Sequence, residues 1–303
     1  MENNSIPPIS YKKLVKKVKK SKIILLIFVL LIISVHIYFI FEDMSLIRIF
    51  QGVFILFFIV GGYLIWHGKI LSYRLFMKMM KEMAAKYNWV IDKKLEDKSW
   101  NFMNCLEIEH LPIIPSNFTK VEQKFILCGK FCNRDFSFYG LTAHYGKSNK
   151  EEFVLIKTNP IANFNNVILI HMFLGGGRDI NGEYEMTEWE CKFSEKFQEV
   201  KLETQDMFDI YSTDCQKATE FLSQDFINAL IKYKKTTYDV FSILITPQGI
   251  LITKLLVPNN ISSDKSQSPS LCFTPADKYV FAYWQSTENF IKLLDLINLL
   301  EKK

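Results

Sequence analysis

The chain has 303 residues, 49% of them hydrophobic, with a net charge of +5 and six cysteines. So large an apolar fraction excludes a disordered polyelectrolyte, and the length allows one large core or two smaller ones. The whole basic excess sits within residues 1–68 and the remainder is neutral, which excludes a basic nucleic-acid-binding domain and predicts no nucleic-acid partner.

Two apolar runs, Ile23–Phe41 and Leu46–Trp66, are separated only by Glu42-Asp43-Met44-Ser45. At about 1.5 Å of helical rise per residue, each run is roughly 28–32 Å long, the thickness of a hydrocarbon core. The pattern predicts a transmembrane helical hairpin. Lys12, Lys13, Lys16, Lys17, Lys19, Lys20 and Lys22 precede the first run, and Lys69, Arg74, Lys78 and Lys81 follow the second. The link carries Glu42 and Asp43 instead, so the positive-inside rule puts both termini in the cytoplasm. The seven N-terminal lysines are the candidate membrane-surface residues, and a lipid bilayer is the expected partner. His36 reads as a neutral side chain near an interface, because no second ionisable group accompanies it for a proton relay.

Beyond the runs, Lys69–Asn88 has apolar residues at three- to four-residue steps and predicts a membrane-proximal helical stalk. Trp89–Ile91 opens the globular part, and Leu111–Pro115 is a loop. Strands are expected at Gln123–Gly129, Asp135–His144 and Glu152–Lys157, with a turn at Asn133-Arg134-Asp135. Asn166–Leu174 is nearly continuously apolar and predicts a central strand covered on both faces. Glu199–Glu203 and Phe208–Ser212 predict two more strands. Phe241–Thr246 and Ile250–Leu255 flank Pro247-Gln248-Gly249, a hairpin signal.

Helices interrupt the strands: a short one over Asp214–Phe221, then Gln224–Lys234 with Ser223 as N-cap. After a polar loop over Asn259–Ser270, Ser286/Thr287 caps a last helix over Phe290–Leu300. The expected fold class is α+β: the transmembrane hairpin followed by a mostly antiparallel sheet with packed helices. The organisation is a basic N-terminus (1–22), the hairpin (23–66), the stalk (67–90) and a cytoplasmic α+β domain (91–303).

Reactive constellations are sparse. Gly175-Gly176-Gly177-Arg178-Asp179 follows a strand, but a phosphate cradle needs a helix to open at once, whereas Asn181-Gly182 leads into an alternating segment, Glu183–Trp189. It reads as a hairpin loop. His110, His144 and His171 lie in no helical ligand pair, and His171 inside an apolar strand reads as a satisfied core histidine. A Cys128–His144 nucleophile pair is conceivable across neighbouring strands, but nothing local activates the thiol. Cys128 and Cys132 have no second pair at metal-finger spacing, so cysteines 105, 128, 132, 191, 215 and 272 read as reduced, buried thiols. Glu183, Glu185, Glu188 and Glu190 read as a solvated face. The sequons at Asn117 and Asn260 face the wrong compartment for glycosylation. No catalytic residue, cofactor or metal is assigned.

One segment carries a resemblance. Val200-Lys201-Leu202-Glu203, Phe208-Asp209-Ile210-Tyr211-Ser212, Asp214, Ala218 and Leu222 resemble a motif of a bacterial membrane-protein family, domain of unknown function family 3137. Glu220 stands where that family has an aromatic residue, and Ser223-Gln224 replaces Thr-Pro. The resemblance implies two N-terminal spans and a soluble domain, and supplies neither catalytic residues nor a substrate. The resulting expectation is an inner-membrane protein whose cytoplasmic domain binds a partner, a protein among the possibilities, without catalysis. The alternatives are a membrane-tethered hydrolase using Cys or His, and a structural subunit of a larger membrane complex.

Overall fold

The computed structural model of the chain describes residues 10–42, 46–92, 118–145, 149–172, 197–203, 207–237, 241–255 and 275–300. It forms two compact units, Met1–Met83 with Pro258–Glu288, and Ala84–Val257 with Asn289–Lys303.

The first unit is helical. Helix α1 runs over Tyr11–Glu42 and α2 over Leu46–Tyr87. Leu14, Val18 and Leu25 give α1 a buried row along one face. Leu71, Leu75, Phe76, Met79, Met80 and Met83 do the same for α2. The Tyr11 hydroxyl donates to the main-chain oxygen of Asp277 at 2.9 Å. Burial and the nearby Asp277 charge raise the Tyr11 pKa.

No helix among the described residues is long and apolar enough to cross a membrane. This corrects the two-span hairpin, and with it the placement in an inner membrane with both termini cytoplasmic. Neither apolar run is a helix by itself. The first is part of a helix that begins at Tyr11 and carries all seven lysines. The second continues without a break through Lys69, Arg74, Lys78 and Lys81 to Tyr87. The positive-inside argument requires spans and falls with them. The side chain of His36, and the link at Asp43–Ser45, lie outside the described residues.

The second unit is built on one nine-stranded sheet in the order β1-β2-β3-β4-β9-β8-β5-β7-β6. The strands are β1 Val90–Asp92, β2 Phe118–Phe131, β3 Arg134–Tyr145, β4 Asn149–Thr158, β5 Ile168–Met172, β6 Gln198–Glu199, β7 Phe208–Ser212, β8 Phe241–Thr246 and β9 Gly249–Leu255. Every described pairing is antiparallel. The α+β class therefore holds, with a large antiparallel sheet and several helices. Helices α3 (Cys215–Phe221) and α4 (Gln224–Thr237) follow β7, and α5 (Ala276–Leu299) closes the described chain.

Burial on both faces explains the apolar strands. On one face Phe138 meets Phe290 of α5 at 4.6 Å between ring centroids, and Phe241 meets Tyr233 of α4 at 5.4 Å. On the other, Ile126, Tyr139, Leu141, Phe153, Leu155, Leu169, Leu244 and Leu251 form one cluster that runs across six strands. Every residue of β8 is buried. β5 is central as its composition requires, paired with β7 on one side and β8 on the other.

Two tight turns fix the register. Cys132 and Asn133 both have positive φ, 47° and 68°, which gives the two-residue turn whose twist suits a hairpin. The turn therefore falls one residue before the Asn133-Arg134-Asp135 expected, and Arg134 opens β3 instead of capping a loop. Pro247-Gln248 turns β8 into β9, and Gly249 (φ 148°) passes so close to the Thr158 carbonyl that a Cβ would lie 2.5 Å from it.

One helix boundary differs widely. α5 begins at Ala276, and Thr287 is no cap: its hydroxyl donates back to the Trp284 carbonyl at 2.6 Å inside the helix. The buried row Tyr279, Val280, Tyr283 and Trp284 has helical spacing and precedes the apparent cap. Glu199–Glu203 also shrinks to the two residues of β6, although the Val200 N–H still donates to the Ile210 carbonyl at 2.8 Å.

Candidate functional site

The proposed membrane-surface residues lie on the first turns of α1. Lys12, Lys13, Lys16, Lys17, Lys19 and Lys20 are exposed and Lys22 is half-buried, because Leu14, Val18 and Leu25 take the buried positions between them. Directly after them the helix exposes apolar side chains: Ile23, Ile24, Leu26, Ile27, Leu30, Leu31, Val35, Ile37 and Tyr38, each about half accessible. Scattered exposed apolar residues are ordinary, but so dense a run of them on one helix is not.

The candidate reactive residues are placed apart. Lys120 pairs with His144, and Cys128 with Ser137, on the same two strands. Eight residues of strand separate the two positions, roughly 26 Å at about 3.3 Å each. No Cys128–His144 pair is assembled. The Cys128 thiol lies 3.6 Å from the Ser137 hydroxyl, and His144 Nε2 lies 3.3 Å from the Glu122 carboxylate, which also meets Lys124 at 3.0 Å.

His171 belongs to a polar rung that sequence reading did not find. Register places Asp209, His171, Ser242 and Thr253 side by side on β7, β5, β8 and β9. His171 Nδ1 and Ser242 Oγ are 3.0 Å apart. A Ser–His–Asp row suggests nucleophilic catalysis, but a nucleophile must reach its substrate, and Ser242 and Thr253 are fully buried. The His171–Ser242 contact works as hydrogen bonding inside the core. Only strand pairing could have brought these residues together, since they are scattered over the sequence.

A second polar network surrounds Asn166, which is buried. Its amide donates to Ser212 Oγ and to the Asp214 carbonyl, both at 2.9 Å, and its oxygen accepts from Thr213 Oγ1 at 2.7 Å. Ser212 Oγ in turn donates to the Val167 carbonyl at 3.0 Å and accepts from the Asp214 N–H at 3.1 Å. Asp214 then N-caps α3 by accepting the Lys217 N–H at 3.1 Å. That backbone hydrogen bond, with those from the Lys217 side chain and its charge, holds the Asp214 carboxyl below its usual pKa.

Arg134 is the one buried cation of β3. Its Nη1 donates to Thr158 Oγ1 at 3.2 Å and to the Asn159 carbonyl, and burial lowers its pKa. Phe131, Phe136, Leu294, Ile297 and Asn298 complete a shallow pocket around it. Its cramped interior suits packing of the hairpin tip against α5 better than ligand entry. Sequence reading placed Arg134 in a turn and missed it.

Among the described residues no group of three or more His, Cys, Asp or Glu is arranged to hold a metal. Cys132 is exposed, and Cys128 and Cys215 are half-buried. The Gly175–Gly182 loop, the Glu183–Glu190 segment, the Leu111–Pro115 and Asn259–Ser270 loops, His110, both sequons and cysteines 105, 191 and 272 lie outside the described residues. No protein-family model and no curated protein sequence matches the chain.

Proposed function

We propose that this chain is a non-catalytic binding protein that engages its partner through α1. The observation that carries the reading is the exposed apolar zone over Ile23–Tyr38. Leaving so many large aliphatic side chains in water costs about 25 cal/mol per Å2, which a partner that covers them recovers. The non-catalytic part is supported by the burial of Ser242 and by the distance between Cys128 and His144 along their strands.

A photoreactive phenylalanine analogue in place of Ile27 or Leu31 tests the contact in cells. Adducts are expected from both positions and not from Lys130, exposed on β2. Adducts from Lys130 alone would overturn the reading. The rival is a hydrolase, favoured by the Ser242–His171 contact at 3.0 Å. It requires the native chain to react with a fluorophosphonate probe and to lose that labelling in Ser242→Ala. An unlabelled native chain removes it.

A further inference from the structure

We infer that α1 seats on an anionic lipid surface, its apolar zone among the acyl chains and its lysines at the headgroups. The inference rests on the reading of α1 as the contact surface and names the partner's chemistry. Its basis is how the helix segregates its side chains. Lys12, Lys13, Lys16, Lys17, Lys19 and Lys20 are exposed in the first three turns, and the exposed apolar zone begins three residues later at Ile23. Charge and apolar surface are thus divided along the helix axis. A protein groove that took this helix would have to change from acidic to apolar abruptly along its length. An anionic lipid layer has that change built in at the boundary between headgroups and acyl chains.

The described part of the exposed zone, Ile23–Tyr38, extends about 24 Å at about 1.5 Å per residue, ample length for a helix to rest in the acyl boundary. The contact needs no helix able to cross. Lysine stems can lie along the apolar boundary while the ammonium groups stay at the headgroups. A second copy paired in parallel along α1 is a poorer occupant, because it would set six lysines against six.

Sedimentation of the full chain with vesicles tests this. One set is phosphatidylcholine alone and the other contains phosphatidylserine, each at low and high salt. Binding is expected to be stronger to the anionic vesicles and to weaken as salt rises. A lysine near such a surface contributes about fivefold in partitioning. Replacing the six exposed lysines with Gln should then lower binding to anionic vesicles by up to ~10,000-fold and leave binding to neutral vesicles unchanged. Ile27→Asp with Leu31→Asp should reduce binding to both. Circular dichroism confirms that each variant keeps its helix content. Equal binding to both vesicle types, insensitive to the lysines, overturns the inference. So does failure to bind either while Ile27 and Leu31 positions still crosslink to protein, an outcome that leaves α1 as the contact surface. Loss of both the vesicle binding and the crosslinks removes the two readings together.

Discussion

Gly129→Ala should cost far more than a single methyl group suggests. A Cβ at Gly129 would lie 2.2 Å from Trp89 Cδ1, 2.6 Å from Cγ and 2.9 Å from Nε1. No side chain tolerates such distances, so the indole must move by more than an ångström. It has nowhere to go. Trp89 Nε1 donates to the Lys130 carbonyl at 2.8 Å. The ring stacks on Tyr87 at 4.7 Å and meets Phe136 edge-on at 4.7 Å and Phe290 at 6.0 Å. Overpacking of this kind costs about 1–3 kcal/mol. Losing the buried indole hydrogen bond adds about 1 kcal/mol. The total is about 2–4 kcal/mol, read as a lower urea midpoint by far-UV circular dichroism. The cost belongs to the pair, so Trp89→Ala should relieve it: in that background Gly129→Ala should cost less than about 1 kcal/mol. Gly61→Ala is the control, since nothing lies within 4 Å of its added Cβ, and inside α2 it should be neutral or stabilising by up to ~1 kcal/mol. An undiminished cost in the Trp89→Ala background would refute the reasoning.

Three further outcomes follow from the hydrogen bonds. Asn166→Ala removes the acceptor of Thr213 Oγ1 and the donor to Ser212 Oγ and should destabilise the chain by about 2–3 kcal/mol, whereas Ser223→Ala, which loses only the Phe226 N–H acceptor at 3.2 Å, should cost about 1 kcal/mol. Denaturant midpoints compare the two, and equal costs would sink the ranking. The Asp214 carboxyl has a folded-state pKa below its unfolded one, so its contribution is present above the ordinary carboxylate range and is lost as pH falls through the folded value. The protection of the Lys217 amide, the intrinsic exchange rate over the observed one at each pH, should therefore fall on acidification, and Asp214→Asn should flatten that pH dependence. A profile identical in the two proteins would show that the carboxylate is not the cap that matters.

Strands were legible where one composition served both faces. β5 and β8 are mostly apolar because helices cover one face and a second apolar cluster the other; β8 was found over its full length and β5 begins two residues later than expected. Boundaries failed where a polar residue had two uses. Thr287 has the chemistry of an N-cap, but mid-helix its hydroxyl donates to the carbonyl three residues back, and the local letters are the same in either case. Arg134 failed similarly: beside Asn133 it reads as a turn residue, yet the turn closes one position earlier and the guanidinium is carried to Thr158. The Asp209–His171–Ser242–Thr253 rung was invisible in principle, since register alone aligns four residues so far apart in sequence.

The segment that carried the family resemblance now has a physical account. Val200 is buried and bonds the strand through its N–H to Ile210; Ser212 and Asp214 share the hydrogen bonds that turn β7 into α3; Ala218 and Leu222 are buried on that helix. Ser223 then caps α4 in place of the threonine. Each of these residues builds a strand-to-helix corner. Such a pattern can recur wherever that corner is needed, so it identifies architecture and carries no chemistry. What the chain does must be sought on surface the corner does not require, and α1, with its lysines exposed beside an exposed apolar zone, is a described surface that packing leaves unexplained.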